Sequence, residues 1–435
     1  MGRVASLRDM KKVMLFAFGL LTGLPLVLAE PTESRTWTAT NGKKVEGKVI
    51  SIQGAKATLE RADGKKVEVA LAIFVDEDRK FLEEHFEIEA PKPGEPAKSG
   101  AAPAENLPHA QGEVVGPLDA GDGATYYLYL PKSLKQGRLA PLLFYTDAGG
   151  GNPGLIKGLT EGAELCGWVM AASVQSKNGQ DLAINVKVSK AAVDHIVKTL
   201  PVDPERVYFT GNSGGGATAM ANSAAMKAAG AMPNIGYIPD GVSPPKGHYF
   251  AIGGGKDYNR YHTAQIGKKF GKDGVHRMNP GGHGGAPPWQ RIDGMIWLNL
   301  RYLAAEKKKH AEEAADFEAD LITWMRDKAD SESHRAYSTA RLMKDDYEVK
   351  GANLALVDGL IDELGKEDKN RLYHEGLAVI DKISEDALAG EAGASLFAHT
   401  CKKATSDAEK ALERFAGVPV IEDTLKAIAA PTVGQ

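Results

Sequence analysis

Three residues carry the chemistry that this sequence offers. Ser213 sits in Gly211-Asn212-Ser213-Gly214-Gly215, a G-x-S-x-G pattern. Before it, Val207, Tyr208 and Phe209 make a short apolar run that reads as a buried strand; after it, Ala217 to Met226 is rich in Ala and Met and reads as a helix. A serine on a sharp strand-to-helix turn is a nucleophile elbow, and the glycines two positions either side let strand and helix approach closely. A serine hydroxyl needs a base to take its proton and an acid to orient that base. Downstream, Asp257 follows the apolar run Tyr249-Phe250-Ala251-Ile252 and a stretch rich in glycine, and His283 lies in Gly281-Gly282-His283-Gly284-Gly285. The order Ser, Asp, His, with Asp257 placed just past an apolar run, reads as Ser213 for nucleophile, Asp257 for orienting acid and His283 for base. The rivals are Asp240, between Pro239 and Gly241 and so read as a turn residue, and His276.

These residues need a scaffold that brings loops together at one edge. From residue 124 onward, strands at Thr125–Leu130, Ala140–Thr146, Trp168–Val174, Val207–Phe209 and Tyr249–Gly253 alternate with helical patterns such as Ala191–Leu200. This predicts an α/β class with a mostly parallel sheet covered on both faces. Beyond about Trp297 the strands stop. Charged, Ala-rich segments with apolar residues at helical spacing (Lys307–Arg326, Asn353–Leu364, Arg371–Ile383, Asp407–Phe415) predict a helical region over 301–435. His310, His334, His374 and His399 lack ligand spacing and read as surface residues, so no metal site is expected.

Ahead of the sheet, residues 30–89 form their own unit. Turn signals at Asn41-Gly42, Gln53-Gly54 and Asp63-Gly64 separate short alternating runs, and Asp76-Glu77-Asp78 opens a helix. A meander or small β-barrel is expected. Residues 90–112, dominated by Pro, Ala, Gly and charge, read as a flexible linker to a domain at 113–300. At the start, Arg3, Arg8, Lys11 and Lys12 precede an apolar run at Val13–Leu28, and Val27-Leu28-Ala29 is similar to a cleavage site. Residues 1–29 therefore read as a signal peptide, and the chain as exported to the periplasm or beyond without stable membrane insertion. Cys166 and Cys401 are too few for a disulfide framework and are expected to be free or structural. With 43% hydrophobic and 25% charged residues and a net charge of −4, the 435-residue chain has material for large cores and no basic surplus for nucleic acid.

Residues 113–300 resemble the α/β-hydrolase superfamily, and most nearly the secreted esterases related to polyhydroxybutyrate depolymerases and feruloyl or acetylxylan esterases. Asp147-Ala148-Gly149-Gly150-Gly151, Val202 to Gly216, Gly254 to Asp257 and Gly281 to Gly285 carry the resemblance. It implies a serine ester hydrolase working through an acyl-enzyme on Ser213, without metal or organic cofactor, on a small-molecule or polymeric ester. A peptidase is a close variant. It also implies an oxyanion hole built from the N–H of Gly214 and that of Ala148 or Gly149. Arg35-Thr36-Trp37, the Gly-Lys pairs at 42–43 and 64–65, and Asp76 to Phe86 resemble the SLA-one homology domain, an SH3-like fold. That resemblance implies a peptide or protein ligand, with a plain spacer as the alternative. The rival reading of the whole chain is an inactive hydrolase-fold scaffold that binds through the N-terminal domain.

Overall fold

The structure is a computed structural model that describes residues 31–39, 43–53, 56–86, 107–390 and 401–430. The signal peptide, most of the linker (90–106), the turn at 41–42, Gly54 and His399 lie outside the described residues. The chain divides into two compact units, residues 1–98 and 99–435.

In the first unit, β1 (Arg35–Thr38), β2 (Lys44–Gln53), β3 (Lys56–Arg61) and β4 (Lys66–Ala70) form an antiparallel meander in chain order. A 3₁₀ turn at Leu71–Ile73 then carries the chain back, and Phe74 bridges to Ala39 beside β1. The expected barrel is thus a four-stranded meander brought round by a single bridge. Helix α1 (Asp76–His85) closes its open face. Trp37, Val49, Leu59, Phe74 and Leu82 are the core, and the buried indole N–H of Trp37 donates to the carbonyl of Gly47 at 2.9 Å. Asp78 accepts from Arg35 at 2.8 Å and from the backbone N–H of Thr38 at 2.7 Å, which pins the helix to β1.

The second unit holds an eight-stranded sheet made of β5 (Val114–Gly121), β6 (Ala124–Tyr129), β7 (Ala140–Asp147), β8 (Val169–Ser173), β9 (Val202–Asn212), β10 (Gly230–Asn234), β11 (His248–Gly254) and β12 (Gly274–Asn279). Their order is β12-β11-β10-β9-β7-β8-β6-β5. The six strands from β12 to β8 are parallel, β6 pairs antiparallel with β8, and β5 pairs antiparallel with β6. Residues 107–112, expected to be the end of the linker, belong to this unit: Leu107 packs on the sheet core, and the N–H of Gly112 donates to the carbonyl of Leu130 at 2.7 Å. The strands read as unbroken apolar runs because both faces are covered. On one side, α4 (Leu182–Thr199), α5 (Gly214–Met226) and α6 (Arg260–Phe270) place Ile196, Met220 and Ile266 against Phe144, Phe209 and Tyr249. On the other, α7 (Pro288–Ala305) crosses the sheet so closely that a Cβ on Gly294 would lie 2.5 Å from Met232 and 2.8 Å from Phe250. The short helices α2 (Pro153–Lys157) and α3 (Thr160–Cys166) precede β8, and α3 packs on α7.

The helical region α8 (Ala311–Lys328), α9 (Ser333–Asp345), α10 (Ala352–Leu364), α11 (Asp368–Ala389), α12 (Lys402–Phe415) and α13 (Ile421–Ala429) belongs to the same compact unit. The expected boundary at 300 falls inside α7. Tyr261 and Ala264 of α6 and Met278 of β12 share a core with Tyr373, Ile380, Ile421, Leu425 and Ile428 of the helices. Arg206, wholly buried in β9, donates from Nη1 to Glu313 of α8 at 2.6 Å and from Nη2 to Asn299 of α7 at 3.1 Å. The histidines read as surface residues are instead packed between helices: His310 against Tyr302, His334 against Tyr373, and His374 against Tyr337 with its ring bonded to Ser338. Their rings cover neighbouring aromatic side chains, which periodicity read one helix at a time does not reveal. Cys166 and Cys401 are both buried free thiols.

Candidate active site

The site forms where four parallel strands end, the edge at which open α/β sheets collect their ligands. β9 delivers Ser213. Its backbone, at φ 54° and ψ −119°, lies in a region that side-chain-bearing residues rarely occupy. The turn is held by the N–H of Ser213 donating to Asn234 of β10 at 3.0 Å, while α5 begins at Gly214. The two outer glycines are sterically required. A Cβ on Gly211 would lie 2.2 Å from the carbonyl of Thr146, and one on Gly215 would lie 2.3 Å from the same oxygen.

β11 delivers Asp257 through the loop at 255–257, and β12 delivers His283 through the loop at 280–285. The three side chains meet. Ser213 Oγ lies 2.8 Å from His283 Nε2, and His283 Nδ1 lies 2.9 Å from Asp257 Oδ1. Asp257 is 1% exposed, and its Oδ1 also accepts from the N–H of Asn259 at 2.9 Å. A buried carboxylate facing Nδ1 fixes the tautomer that carries hydrogen there, which leaves the Nε2 lone pair toward the serine. The rivals stand elsewhere. Asp240 is an exposed turn residue. His276 is buried within β12 against Thr263, and burial pushes its imidazole down to about 3.

The oxyanion candidates separate. The N–H of Gly149 is taken by Asp147 Oδ1 at 2.9 Å, and that of Gly150 by the carbonyl of Asp147 at 3.2 Å. Ala148 therefore stands ahead of Gly149 as the partner of Gly214, whose N–H heads α5, where helix amides have no intrahelical acceptor. The carbonyl of Ala148 accepts from the N–H of Asn178 at 2.9 Å. The side-chain oxygen of Asn178 lies so close over Gly214 that a Cβ there would be 1.8 Å from it.

Two residues of the site escape a reading by motif. Asn178 sits in Lys177-Asn178-Gly179, which reads as an ordinary turn. Tyr258 follows Asp257 directly, and an aromatic in a glycine-rich loop was the signal that could have found it. Its ring stacks on the imidazole of His283 with centroids 4.3 Å apart, and its hydroxyl lies 2.9 Å from Nε2. Burial, and then the Asp257 carboxylate, raise the Tyr258 phenol above its ordinary value, so it keeps its proton near neutrality.

The acid loop is buttressed by the far end of the chain. A Cβ on Gly255 would lie 2.8 Å from the side chain of Ala427 and 3.3 Å from the carbonyl of Thr424, both in α13. The carbonyl of Gly255 accepts from Arg260 of α6 at 2.6 Å. Among the described residues, no group of His, Cys, Asp and Glu could hold a metal ion, and no helix is long and apolar enough to cross a membrane.

The parallel sheet, its strand order and the strained serine turn between β9 and α5 decide the architecture. Residues 114–305 have the α/β-hydrolase fold. Residues 28–90 match the SLA1 homology domain 1 (SHD1) family, in agreement with the motifs of that stretch. No curated protein matches the chain. Among solved structures, the butyrate-bound esterase Est2 of the planctomycete Thermogutta terrifontis is similar at 17% identity, over 44% of this chain and 93% of that one, with a TM-score of 0.35. The thermostable carboxylesterase EstE1 from a metagenomic library is similar at 14% identity, over 48% and 88%, with a TM-score of 0.33. The S-formylglutathione hydrolase FrmB of Staphylococcus aureus is similar at 10% identity, over 44% and 99%, with a TM-score of 0.34.

Proposed function

We propose that this hydrolase-fold protein is a serine hydrolase that cleaves carboxylic esters through an acyl-enzyme on Ser213. The observation that carries the reading is the unbroken line of hydrogen bonds from Ser213 through His283 to Asp257, at 2.8 and 2.9 Å, on a serine in a strained turn. Ser213 Oγ attacks the ester carbonyl while His283 Nε2 takes its proton. Asp257, facing Nδ1, stabilises the imidazolium that results. The N–H groups of Gly214 and Ala148 stabilise the oxyanion. His283 then returns the proton to the departing alkoxide, and water repeats the sequence to release the acid. A scaffold has no need of this aligned set of three, which is what favours the enzyme over an inactive binding protein.

The substrate is an ester of small molecule or polymer, in keeping with the resemblance to depolymerase-type esterases. Residues 1–29 act as a signal peptide that directs export, and the SHD1 domain holds a peptide or protein ligand. The test of the enzymatic reading is labelling by a fluorophosphonate probe. The wild type should label, and Ser213→Ala should not. An unlabelled wild type with no turnover of p-nitrophenyl acetate would overturn the reading.

A further inference from the structure

Tyr258 has a position that the three-residue mechanism leaves unused. The hydroxyls of both Ser213 and Tyr258 lie within 3 Å of one nitrogen, His283 Nε2, at 2.8 and 2.9 Å. A neutral imidazole whose Nδ1 carries hydrogen has a single lone pair at Nε2, in the plane of the ring. The tyrosine ring is stacked on that plane, tilted by only 22° at a centroid distance of 4.3 Å. A phenol oxygen lies in the plane of its own ring. The Tyr258 hydroxyl therefore approaches Nε2 from above the imidazole face, and the in-plane lone pair is left to Ser213. Its hydrogen is then available to a third group, the one that arrives beside Nε2 during the reaction.

We infer that Tyr258 is a catalytic residue whose hydroxyl donates a hydrogen bond to the leaving-group oxygen of the ester as the carbon–oxygen bond breaks. This rests on the serine-hydrolase reading above. When the tetrahedral intermediate collapses, the electron pair of the breaking bond goes to the leaving oxygen, and Nε2 gives that oxygen the proton taken from Ser213. Tyr258 transfers no proton. It shares its hydrogen with the same oxygen while negative charge is greatest there, and it retains that hydrogen throughout. The benefit depends on how much charge the oxygen carries. An alkoxide needs the bond. A nitrophenolate, which leaves without protonation, hardly does, and fluoride leaving a phosphonate needs none.

Tyr258→Phe keeps the ring on the imidazole and removes only the hydroxyl. The experiment compares kcat/KM of wild type and variant on two esters that share an acyl group, ethyl acetate and p-nitrophenyl acetate, together with the rate of fluorophosphonate labelling at Ser213. The kcat/KM term reports steps through acylation, so deacylation does not mask the effect. The expected result is a loss of roughly tenfold on ethyl acetate, the scale of one neutral hydrogen bond, with less than about threefold change on p-nitrophenyl acetate and in labelling. Equal losses on both esters and in labelling would make Tyr258 a positioning residue for His283 and overturn the inference. So would an unchanged rate on ethyl acetate. A wild type that neither labels nor turns over either ester would instead remove the hydrolase reading on which the inference stands.

Discussion

At the scale of single residues, the assignment turns on Asp257 against Asp240. Both are aspartates between the nucleophile and the base in sequence, but only Asp257 is buried against His283 Nδ1. Removing an orienting carboxylate in serine proteases costs about 10⁴ in kcat. Asp257→Asn should lower kcat by roughly 10²–10⁴ with the fold intact, while Asp240→Asn should change it by less than about tenfold. Paired measurements of kcat and thermal midpoint decide it, and a dead Asp240→Asn beside an active Asp257→Asn would invert the assignment. A second residue-scale prediction concerns Gly211. Its missing Cβ is what lets the elbow sit against Thr146 and Gly215, whose backbone atoms cannot give way. Gly211→Ala should lower the thermal midpoint by about 5 °C or more, as overpacking against rigid backbone would. The three side chains that meet are legible in part as local signals: each sits in a glycine-rich loop, and Ser213 and Asp257 also follow an apolar run, whereas His283 does not. The choice of Ala148 over Gly149 was not legible, because it depends on a side-chain hydrogen bond from Asp147 that spacing cannot show.

At the scale of elements, β7, β8, β9 and β11 were readable as apolar runs, whereas β10 and β12 were not. Gly230-Ala231-Met232-Pro233-Asn234 has little β propensity and is a strand only because it is buried between β9 and β11. β12 carries His276 and Arg277 in its middle, so it does not read as a buried strand. That buried histidine has a consequence for stability. Its folded pKa is depressed to about 3 from an ordinary 6.5, so the unfolded chain binds its proton first. Its contribution is complete above pH 6.5 and is lost as pH falls toward 3. Between pH 7 and pH 5 the loss is on the order of 2 kcal/mol. His248, His262, His334 and His374 are depressed in the same direction, chiefly by burial. Asp320 and Asp381, both raised to about 6 by burial, act in the opposite sense and ease folding as pH drops below 6. The expected outcome is a thermal midpoint that falls from pH 7 to pH 5 in the wild type and falls less steeply in His276→Gln. Parallel curves for the two proteins would contradict the burial of His276.

Helix α9 is tied to α7 by another element-scale device. Arg335, almost fully buried, donates from Nη2 to Asp293 at 2.6 Å, and burial raises the carboxyl of Asp293 despite the guanidinium beside it. Removing Arg335 takes from the Asp293 carboxyl the partner that offsets its charge, whereas Arg335 also reaches Glu332. Arg335→Met should therefore destabilise the protein by about 3 kcal/mol, and Arg335→Met with Asp293→Leu should recover most of that. Chemical denaturation of both variants tests it. A double variant as weak as the single one would show that the ion pair itself carries the stability. Apolar spacing predicts most of these helices, but as a region separate from the sheet. Their attachment to the sheet lies in long-range pairs such as Arg206 with Glu313, which no local pattern reports.

At the scale of the molecule, the two compact units predict separability. A chain beginning at Leu107, where the second unit's described packing starts, should fold and turn over p-nitrophenyl acetate at a rate close to the full chain's. Failure to fold would show that the SHD1 domain supports the hydrolase-fold unit. In an exporting host, N-terminal sequencing should find Glu30 at the mature terminus, and retention of Val13 to Leu28 would refute the signal-peptide reading.

The contact between α13 and Gly255 also sets a time order on biosynthesis. Ser213, Asp257 and His283 have all left the ribosome well before residues 421–429 are made, yet the loop that bears Asp257 rests on Thr424 and Ala427. Domains that fold as they emerge can acquire their sheet early. Here the turn that bears Ser213 can be formed while the loop that bears Asp257 still lacks its support. A nascent chain stalled before Ile421 should hold a folded sheet and an idle serine, and hydrolysis should begin only once α13 has docked. On the proposed function, activity is thus a late event in the life of each chain, timed by a helix that contributes no atom to the chemistry.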